Sequence, residues 1–322
     1  LALLALASLM LAACASIPQA QSMSGDGTDT GTEDELSRET EFRIIGYATE
    51  ASIPELIQYD KLTHINYAFL IPNPDGSFLP LINAWKLHRI VELAHEQQVQ
   101  VLISVGGWGW DEQFETLAAD PEARAGAVEA MLTFVAEFDL DGVDMDWEYP
   151  DPGQSSQNFL ALMSELRQAL PADKLLTAAV VAHSDYYGLG IPAEAFELMD
   201  FVNLMAYDGD GHGSMAQAEQ SLDYWTARGL PAAKMVLGVP FYSRPSEISY
   251  SKIVEQDPAA AQADSIEYFG TENVYNGIPT MQAKTRLAMQ RASGVMFWTL
   301  DHDAQGELSL LTAIYRAVLE GK

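Results

Sequence analysis

Cysteine, basic residues and long apolar runs are all scarce in this sequence. A single Cys in 322 residues leaves no intramolecular disulfide to form and excludes a disulfide-framework fold. Only 17 Lys and Arg stand against 46 Asp and Glu, for a net charge of -29. Such a chain repels phosphate backbones and anionic lipid headgroups, which excludes a nucleic-acid partner. No apolar stretch reaches the roughly 18 residues that cross a bilayer. No His-Glu-x-x-His pattern or cysteine cluster offers a metal site, so no metal is expected. Gly46-Tyr47-Ala48-Thr49, at the first candidate turn, is no phosphate or dinucleotide loop, and no cofactor is expected either. Asp208-Gly209-Asp210-Gly211-His212 has the composition of a turn rather than of a metal loop. What the chain does have is material for a core. It is 48% hydrophobic and 20% charged, an ordinary globular balance, and its length suits one large domain, expected to act as a monomer.

The first residues stand apart from that core. Residues 1–13 read LALLALASLMLAA, with Ser8 the one polar side chain. This suits the apolar region of a secretory signal and is too short for a membrane span. Leu11-Ala12-Ala13-Cys14 resembles a bacterial lipobox, in which cleavage before Cys14 leaves a lipidated N-terminus. Ordinary secretion, with cleavage around Ala13-Cys14-Ala15, is the alternative. Residues 1–14 are therefore predicted to be a signal peptide with lipobox. The protein is expected to be exported, and either anchored to the bacterial cell envelope through Cys14 or secreted. Residues 15–41, rich in Ser, Gly, Thr, Asp and Glu, cannot bury a core and read as a disordered acidic linker. Such a tether would hold the domain roughly 25–30 Å from an anchor.

From 42 to 322 short apolar runs alternate with amphipathic stretches. Candidate strands are Arg43–Ala48, His64–Leu70, Val99–Val105, Gly142–Trp147, Leu175–Val181, Phe201–Met205, Met235–Val239 and Gly294–Thr299. Candidate helices follow near 53–58, 83–98, 121–138, 155–170, 192–198, 215–228, 280–291 and 308–319. Asn83 and the pair Asp120-Pro121 have the residue types of helix starts. Eight strand–helix units in roughly 280 residues predict an α/β fold of the (β/α)8 barrel type, for which about 250 is typical. A doubly wound open sheet is the rival, and the missing glycine loop speaks against it.

The fourth strand carries the chemistry. It reads Asp141-Gly142-Val143-Asp144-Met145-Asp146-Trp147-Glu148-Tyr149-Pro150. Side chains alternate across a strand, so Asp144, Asp146 and Glu148 share one face and Val143, Met145 and Trp147 the other. In a barrel the apolar face meets the helices and the acids point inward, with Glu148 at the C-terminal mouth where barrel enzymes keep their sites. Three carboxylates crowded into a partly dry interior cannot all stay ionised, which marks the strand as functional. Asp141 is out of phase with the acidic face and is expected to be a structural capping residue. Trp85 and Trp225 in helices, and Trp147, are expected in the core, whereas Trp108, Trp110 and Trp298 fall at strand ends, where they are expected to serve the site.

Asp141, Asp144, Asp146 and Glu148 together resemble the Asp-x-x-Asp-x-Asp-x-Glu signature of glycoside hydrolase family 18, the chitinase family. Three further matches follow in order: Ser104-Val105-Gly106-Gly107-Trp108, Met205-Ala206-Tyr207-Asp208 and Phe241-Tyr242-Ser243-Arg244, where many members have Gly in place of Ser243. Trp298 closes the eighth strand. The resemblance covers essentially all of 42–322. Asp146 and Glu148 lie on one strand, with Cα atoms roughly 6–7 Å apart, and no second Glu facing them is evident. The resemblance implies that the substrate's own 2-acetamido oxygen attacks the anomeric carbon. It implies Glu148 as general acid and then base, Asp146 as orienter of the acetamido group, Asp144 as its proton partner and Tyr207 as a donor to the acetamido oxygen. Trp298 would floor the reacting sugar, and Met205, Asp208, Tyr242, Trp108, Tyr47 and Phe69 would line the site. The implied partner is chitin or N-acetylglucosamine oligosaccharides.

Many members of that family insert a small α+β domain after the seventh strand. The segment from Phe241 to the helix near 280 is too short for it, which implies an open cleft and endo-type cutting. The same carboxylates would serve an endo-β-N-acetylglucosaminidase acting on N-glycans or peptidoglycan. Lectin-like members of the family usually lose the acid position, which is intact here as Glu148.

Overall fold

The computed structural model describes residues 42–321. The signal peptide, Cys14 and the acidic linker expected for 1–41 lie outside the described residues. The strands are β1 (Arg43–Ala48), β2 (His64–Leu70), β3 (Gln100–Gly106), β4 (Gly142–Asp146), β5 (Leu175–Val181), β6 (Phe201–Met205), β7 (Met235–Pro240), a hairpin of β8 (Ser265–Tyr268) and β9 (Thr271–Val274), and β10 (Gly294–Trp298). The eight strands outside the hairpin run parallel, and β1 pairs with both β2 and β10, so the sheet closes. This is the predicted (β/α)8 barrel. Around it lie α1 (Ala84–Glu96), α2 (Asp111–Ala119), α3 (Pro121–Glu137), α4 (Gln154–Ala169), α5 (Met215–Ala227), α6 (Tyr250–Gln256), α7 (Ile278–Arg291) and α8 (Leu310–Glu320).

Burial on both faces of the strands creates two apolar layers. A large one fills the space between strands and helices, and a small one, with Ile45, Phe201, Val236 and Met296, fills the barrel. β4 shows the division. Its outward Trp147 is stacked on Phe114 of α2 at 5.1 Å, and its indole N–H donates to Asp111 Oδ1 at 2.7 Å. Its inward Asp144 sits level with Ser104 of β3 and Thr177 of β5, its register partners on either side.

Several local expectations need correction. The helix near 53–58 is a pair of short 3-10 turns, Pro54–Leu56 and Tyr59–Lys61, and that near 192–198 is a 3-10 turn over Ala193–Glu197. Asn83 makes no side-chain cap, whereas Asp120 accepts from the Glu122 amide at 2.8 Å. Trp85 is not core: it is 60% exposed, because α1 buries the stripe Leu87, Ile90, Val91 and Ala94 and Trp85 lies off it. Trp225 and Trp147 are buried as expected. Between β7 and α7 the chain forms only α6, a 3-10 turn and the β8–β9 hairpin, with no α+β domain among the described residues.

Candidate active site

The C-terminal ends of the strands enclose a cleft of about 660 Å³. Asp146 and Glu148 reach it from β4, Tyr207 and Asp208 from the end of β6, Tyr242 from β7 and Trp298 from β10. Tyr47, Phe69, Trp108 and Met205 complete the expected set around it. Trp298 lies against Phe69 in a stacked pair at 5.4 Å and tilts against Tyr47 at the same distance. Trp110, by contrast, does not line the cleft; it precedes α2. Asp144 lies below the floor, fully buried.

The glycines of Ser104-Val105-Gly106-Gly107-Trp108 have a steric reason to be there. Both have positive φ, +108° and +92°. A Cβ on Gly106 would stand 2.4 Å from the Asp146 carbonyl oxygen, and one on Gly107 would stand 2.7 Å from the Phe69 ring. Only glycine lets the end of β3 press against β4 and Phe69 while its next residue, Trp108, turns out over the cleft with 78% of its surface exposed.

The three carboxyls of β4 are treated very differently. Asp144 accepts four side-chain hydrogen bonds: Tyr47 at 2.6 Å and Ser104 at 2.9 Å on one oxygen, Thr177 at 2.5 Å and Asn203 at 3.2 Å on the other. Burial raises its pKa, and these four donors oppose the rise. Asp146 has no such help. Its Oδ1 is buried without a hydrogen-bond partner. Burial first, then the charges of Glu148 and Asp144, push this carboxyl well above the ordinary range. Glu148 is also raised, by burial and by the charge of Asp208, with Tyr149 acting in the opposite direction. One strand thus presents a buried carboxyl with four donors at its base, a carboxyl starved of donors above it and a third carboxyl, also raised, at the mouth.

The loops after β6 and β7 supply two further acids, both engaged. Asp208 Oδ1 accepts from Arg244 Nε at 2.6 Å, and Arg244 also donates to Glu247. Burial alone would raise Asp208, but its hydrogen-bond donors, Arg244 and Tyr242 among them, override burial and keep it ionised. Tyr207 keeps its hydroxyl free for other work. Its pKa is pushed well up, chiefly by burial, and among the described residues its O–H has only the Met296 sulfur at 3.9 Å as a partner. Arg244, Glu247, Tyr149 and His302 also line the cleft and were not singled out from the sequence. Arg244 and Tyr149 stand within motifs that were recognised. Glu247 and His302 sit in loops with no pattern to mark them. Asp141, expected to be structural, accepts from the Val101 amide at 2.7 Å and from His95 at 2.9 Å, away from the cleft. No cluster of metal-ligating side chains occurs among the described residues.

Known proteins resemble this chain in sequence and fold. The chain is 28% identical over 249 residues to the probable chitinase 10 of Drosophila melanogaster, covering 64% of this chain and 11% of that protein. It is 32% identical over 186 residues to chitinase A1 of Niallia circulans, covering 45% and 27% respectively. It therefore spans well under half the length of these two relatives. Among solved structures, a chitinase from Bacteroides thetaiotaomicron superposes with a TM-score of 0.79 at 28% identity, over 87% of this chain and 97% of that one. The family 18 chitinase ChiB of Flavobacterium johnsoniae gives 0.75 at 28% identity, over 88% and 96%. The profile of glycosyl hydrolases family 18 matches residues 43–303, and the chain belongs to that family.

Proposed function

We propose that this protein is an endo-acting, retaining chitinase that cleaves β-1,4 bonds between N-acetylglucosamine units by substrate-assisted catalysis. One observation carries the reading. Asp146 and Glu148 enter the cleft from a single strand end, while the other two carboxylates in it, Asp208 and Glu247, are both ion-paired to Arg244. Among the described residues no carboxylate free of an ion pair shares the cleft with the β4 pair, which supports a nucleophile supplied by the sugar. The 2-acetamido oxygen is the group placed to act.

In this mechanism Glu148, whose pKa is raised by burial and by the nearby Asp208 charge, gives its proton to the bridging oxygen as that bond breaks. The acetamido oxygen closes onto the anomeric carbon to form an oxazolinium ion. Asp146 accepts from the acetamido N–H, which supplies the partner its Oδ1 lacks. Asp144 takes up the proton Asp146 gives away, one of its four donors turning aside. Tyr207 donates to the acetamido oxygen and holds it in line, a form of positioning that contributes several kcal/mol. Trp298 supports the reacting ring from below through its apolar face. Water then attacks from the vacated side, deprotonated by Glu148, and configuration is retained.

The test is to incubate the protein in parallel with chitin oligosaccharides, peptidoglycan and a high-mannose glycoprotein, following product anomers by NMR and the viscosity of a soluble chitin. β-Anomeric products from the oligosaccharides, with an early fall in viscosity, support the reading. Cleavage confined to either of the other two substrates, α-anomeric products, or disaccharide release with viscosity held would overturn it.

A further inference from the structure

One ionisable ring in the cleft has no part in the mechanism above. His302 lines the cleft, with 30% of its side chain exposed. It belongs to the 3-10 turn Leu300–His302 that follows β10. Its ring lies edge-on to Tyr242 at 6.0 Å, and Tyr242 lies edge-on to Tyr207 at 6.3 Å. Tyr242 thus stands between His302 and the tyrosine assigned to the reacting sugar. Burial pushes the His302 pKa down, Asp301 opposes the fall and the Lys252 charge adds to it. The ring is therefore neutral at pH 7.

Among the described residues neither nitrogen of that ring makes a hydrogen bond. Nδ1 is buried without a partner, and Nε2 stands 3.9 Å from Asp301 Oδ2, too far for a direct bond. A neutral imidazole carries one proton, and the carboxylate beside Nε2 assigns it to that nitrogen. The pair therefore offers a donor, Nε2–H, and an acceptor, Oδ2, on either side of a 3.9 Å gap. Two hydrogen bonds of about 2.8 Å that meet near a right angle span such a gap. What fits is a single atom that both accepts and donates. A sugar hydroxyl does so, whereas an acetamido oxygen only accepts and an acetamido nitrogen only donates.

The two side chains are held from several directions. Asp301 Oδ1 accepts from Thr49 at 2.8 Å and from Ser52 at 2.9 Å, both in the loop after β1, which leaves Oδ2 to the His302 side. Strands β1 and β10 are paired in the barrel, so these loops are neighbours. Leu300 is seated on Gly46 of β1, where a Cβ would stand 2.9 Å from its Cγ. On the other flank Asp303 accepts from the Ser309 hydroxyl at 2.6 Å and from the Leu310 amide at 2.8 Å, at the start of α8. Asp301 borders a smaller cavity of about 210 Å³, so the gap lies where that cavity and the cleft adjoin. A ring fixed on both flanks, with an unused donor beside a cleft, is placed for binding rather than for packing.

We propose that His302 is a substrate-binding residue: its Nε2–H donates to a hydroxyl of a sugar unit adjoining the reacting one, and that hydroxyl donates to Asp301. The inference rests on the function proposed above and deepens it. A sugar whose hydroxyl at this place is missing or capped leaves the imidazole N–H and the carboxylate facing each other without a partner between them. The pair therefore selects for a ring with that hydroxyl free.

Steady-state kinetics on the N-acetylglucosamine tetramer test this with His302→Ala, His302→Asn, His302→Gln and Asp301→Asn. A glutamine brings its amide N–H near the place of Nε2, whereas an asparagine reaches only that of Nδ1. His302→Ala and His302→Asn should raise KM about five- to tenfold, the loss of one hydrogen bond, with kcat kept within about twofold. That retained kcat shows that the variants fold. His302→Gln should keep KM close to wild type. Asp301→Asn turns an amide N–H towards Nε2–H and should raise KM as much as His302→Ala does. The double variant should lose no more than either alone, because both groups hold the same hydroxyl. An unchanged KM in His302→Ala means that the gap holds only solvent and overturns the assignment. So does a glutamine as poor as alanine, an asparagine as good as glutamine, a fall in kcat as large as the rise in KM, or additive losses in the double variant. Calorimetric titration of the same series with the tetramer in the Glu148→Gln background reads binding without turnover. A wild type that turns over no chitin oligosaccharide rejects the proposed reaction, whereas equal Kd values across the series reject the role of His302.

Discussion

Asp144 and Asp146 lie two residues apart on the same face of β4, yet four side chains donate to the first while the second has a buried oxygen with no partner. The two positions should therefore fail in different ways when each carboxyl is replaced by an amide. Asp144→Asn turns an N–H₂ towards donors that can no longer all be satisfied. This should cost about 2–3 kcal/mol and lower Tm by several degrees. Asp146→Asn strands no donor, so Tm should stay close to wild type, but kcat should fall by about 10³ with the loss of the group that anchors the acetamido N–H. Calorimetry and steady-state kinetics on the two variants check the contrast. Equal loss of Tm at both positions would show that partner count does not set the division of labour.

Much of this was open to reading from the sequence, for a physical reason. Strands of a parallel barrel are buried on both faces, so they stand out as apolar runs, and β1, β2, β5 and β6 begin and end where those runs do. Alternation alone put the three acids on one face. The β8–β9 hairpin was not legible, because most of its residues are exposed and leave no pattern. The helix α2 was missed although Phe114, Leu117 and Ala118 have helical spacing, since it begins directly after the glycine turn and spans only nine residues. The four donors to Asp144 come from β1, β3, β5 and β6. Only barrel closure and register bring them together, and neither is written in any one segment. The ion pairing of Asp208 to Arg244 was beyond sequence for the same reason, whereas Glu247 lies only three residues from that arginine.

The acid limb and the basic limb of the activity profile should report different groups, and Asp208 gives a handle on the second. A general acid works only while protonated, so activity is lost as pH rises through the Glu148 pKa. Burial and the Asp208 charge both hold that pKa up. Asp208→Asn removes the charge and frees Arg244, whose positive field favours ionised Glu148. The basic limb of kcat/KM should therefore move to lower pH. A limb that stays in place or moves up would show that Asp208 does not act on the acid.

Lys284 offers a test on stability that is independent of catalysis. It is wholly buried in α7, with its ammonium donating to Asn276 Oδ1 at 2.8 Å, and burial pushes its pKa down to about 7, with Asp264 opposing. Between that value and the ordinary lysine pKa the unfolded chain binds the extra proton, so this residue makes the fold more stable as pH rises. The slope is about 1.4 kcal/mol per pH unit at full effect. Lys284→Met removes the term. Relative to wild type, the variant should look best near pH 7 and lose ground steadily towards pH 10 in urea unfolding. A difference that does not vary across that range would mean that the buried amine keeps an ordinary pKa.

Tyr207 provides the sharpest check on the chemistry. Its hydroxyl lines the cleft with only a thioether within reach among the described residues, which leaves its proton available. If that proton is meant for an acetamido oxygen, Tyr207→Phe removes one preorganised donor while keeping the ring that packs edge-on to Tyr242 at 6.3 Å. Loss of a single such donor costs about 10²–10³ in kcat, with a much smaller effect on KM. The same logic fixes the response to substrate. A chain carrying a free amine at the reacting sugar has no acetamido oxygen for Tyr207 to hold, so wild type and Tyr207→Phe should be equally poor on it. If the wild type cleaves the deacetylated chain as fast as the acetylated one, or if the variant keeps its full kcat, the sugar is not its own nucleophile. One of the carboxylates now paired to Arg244 would then have to be reconsidered as the attacking group.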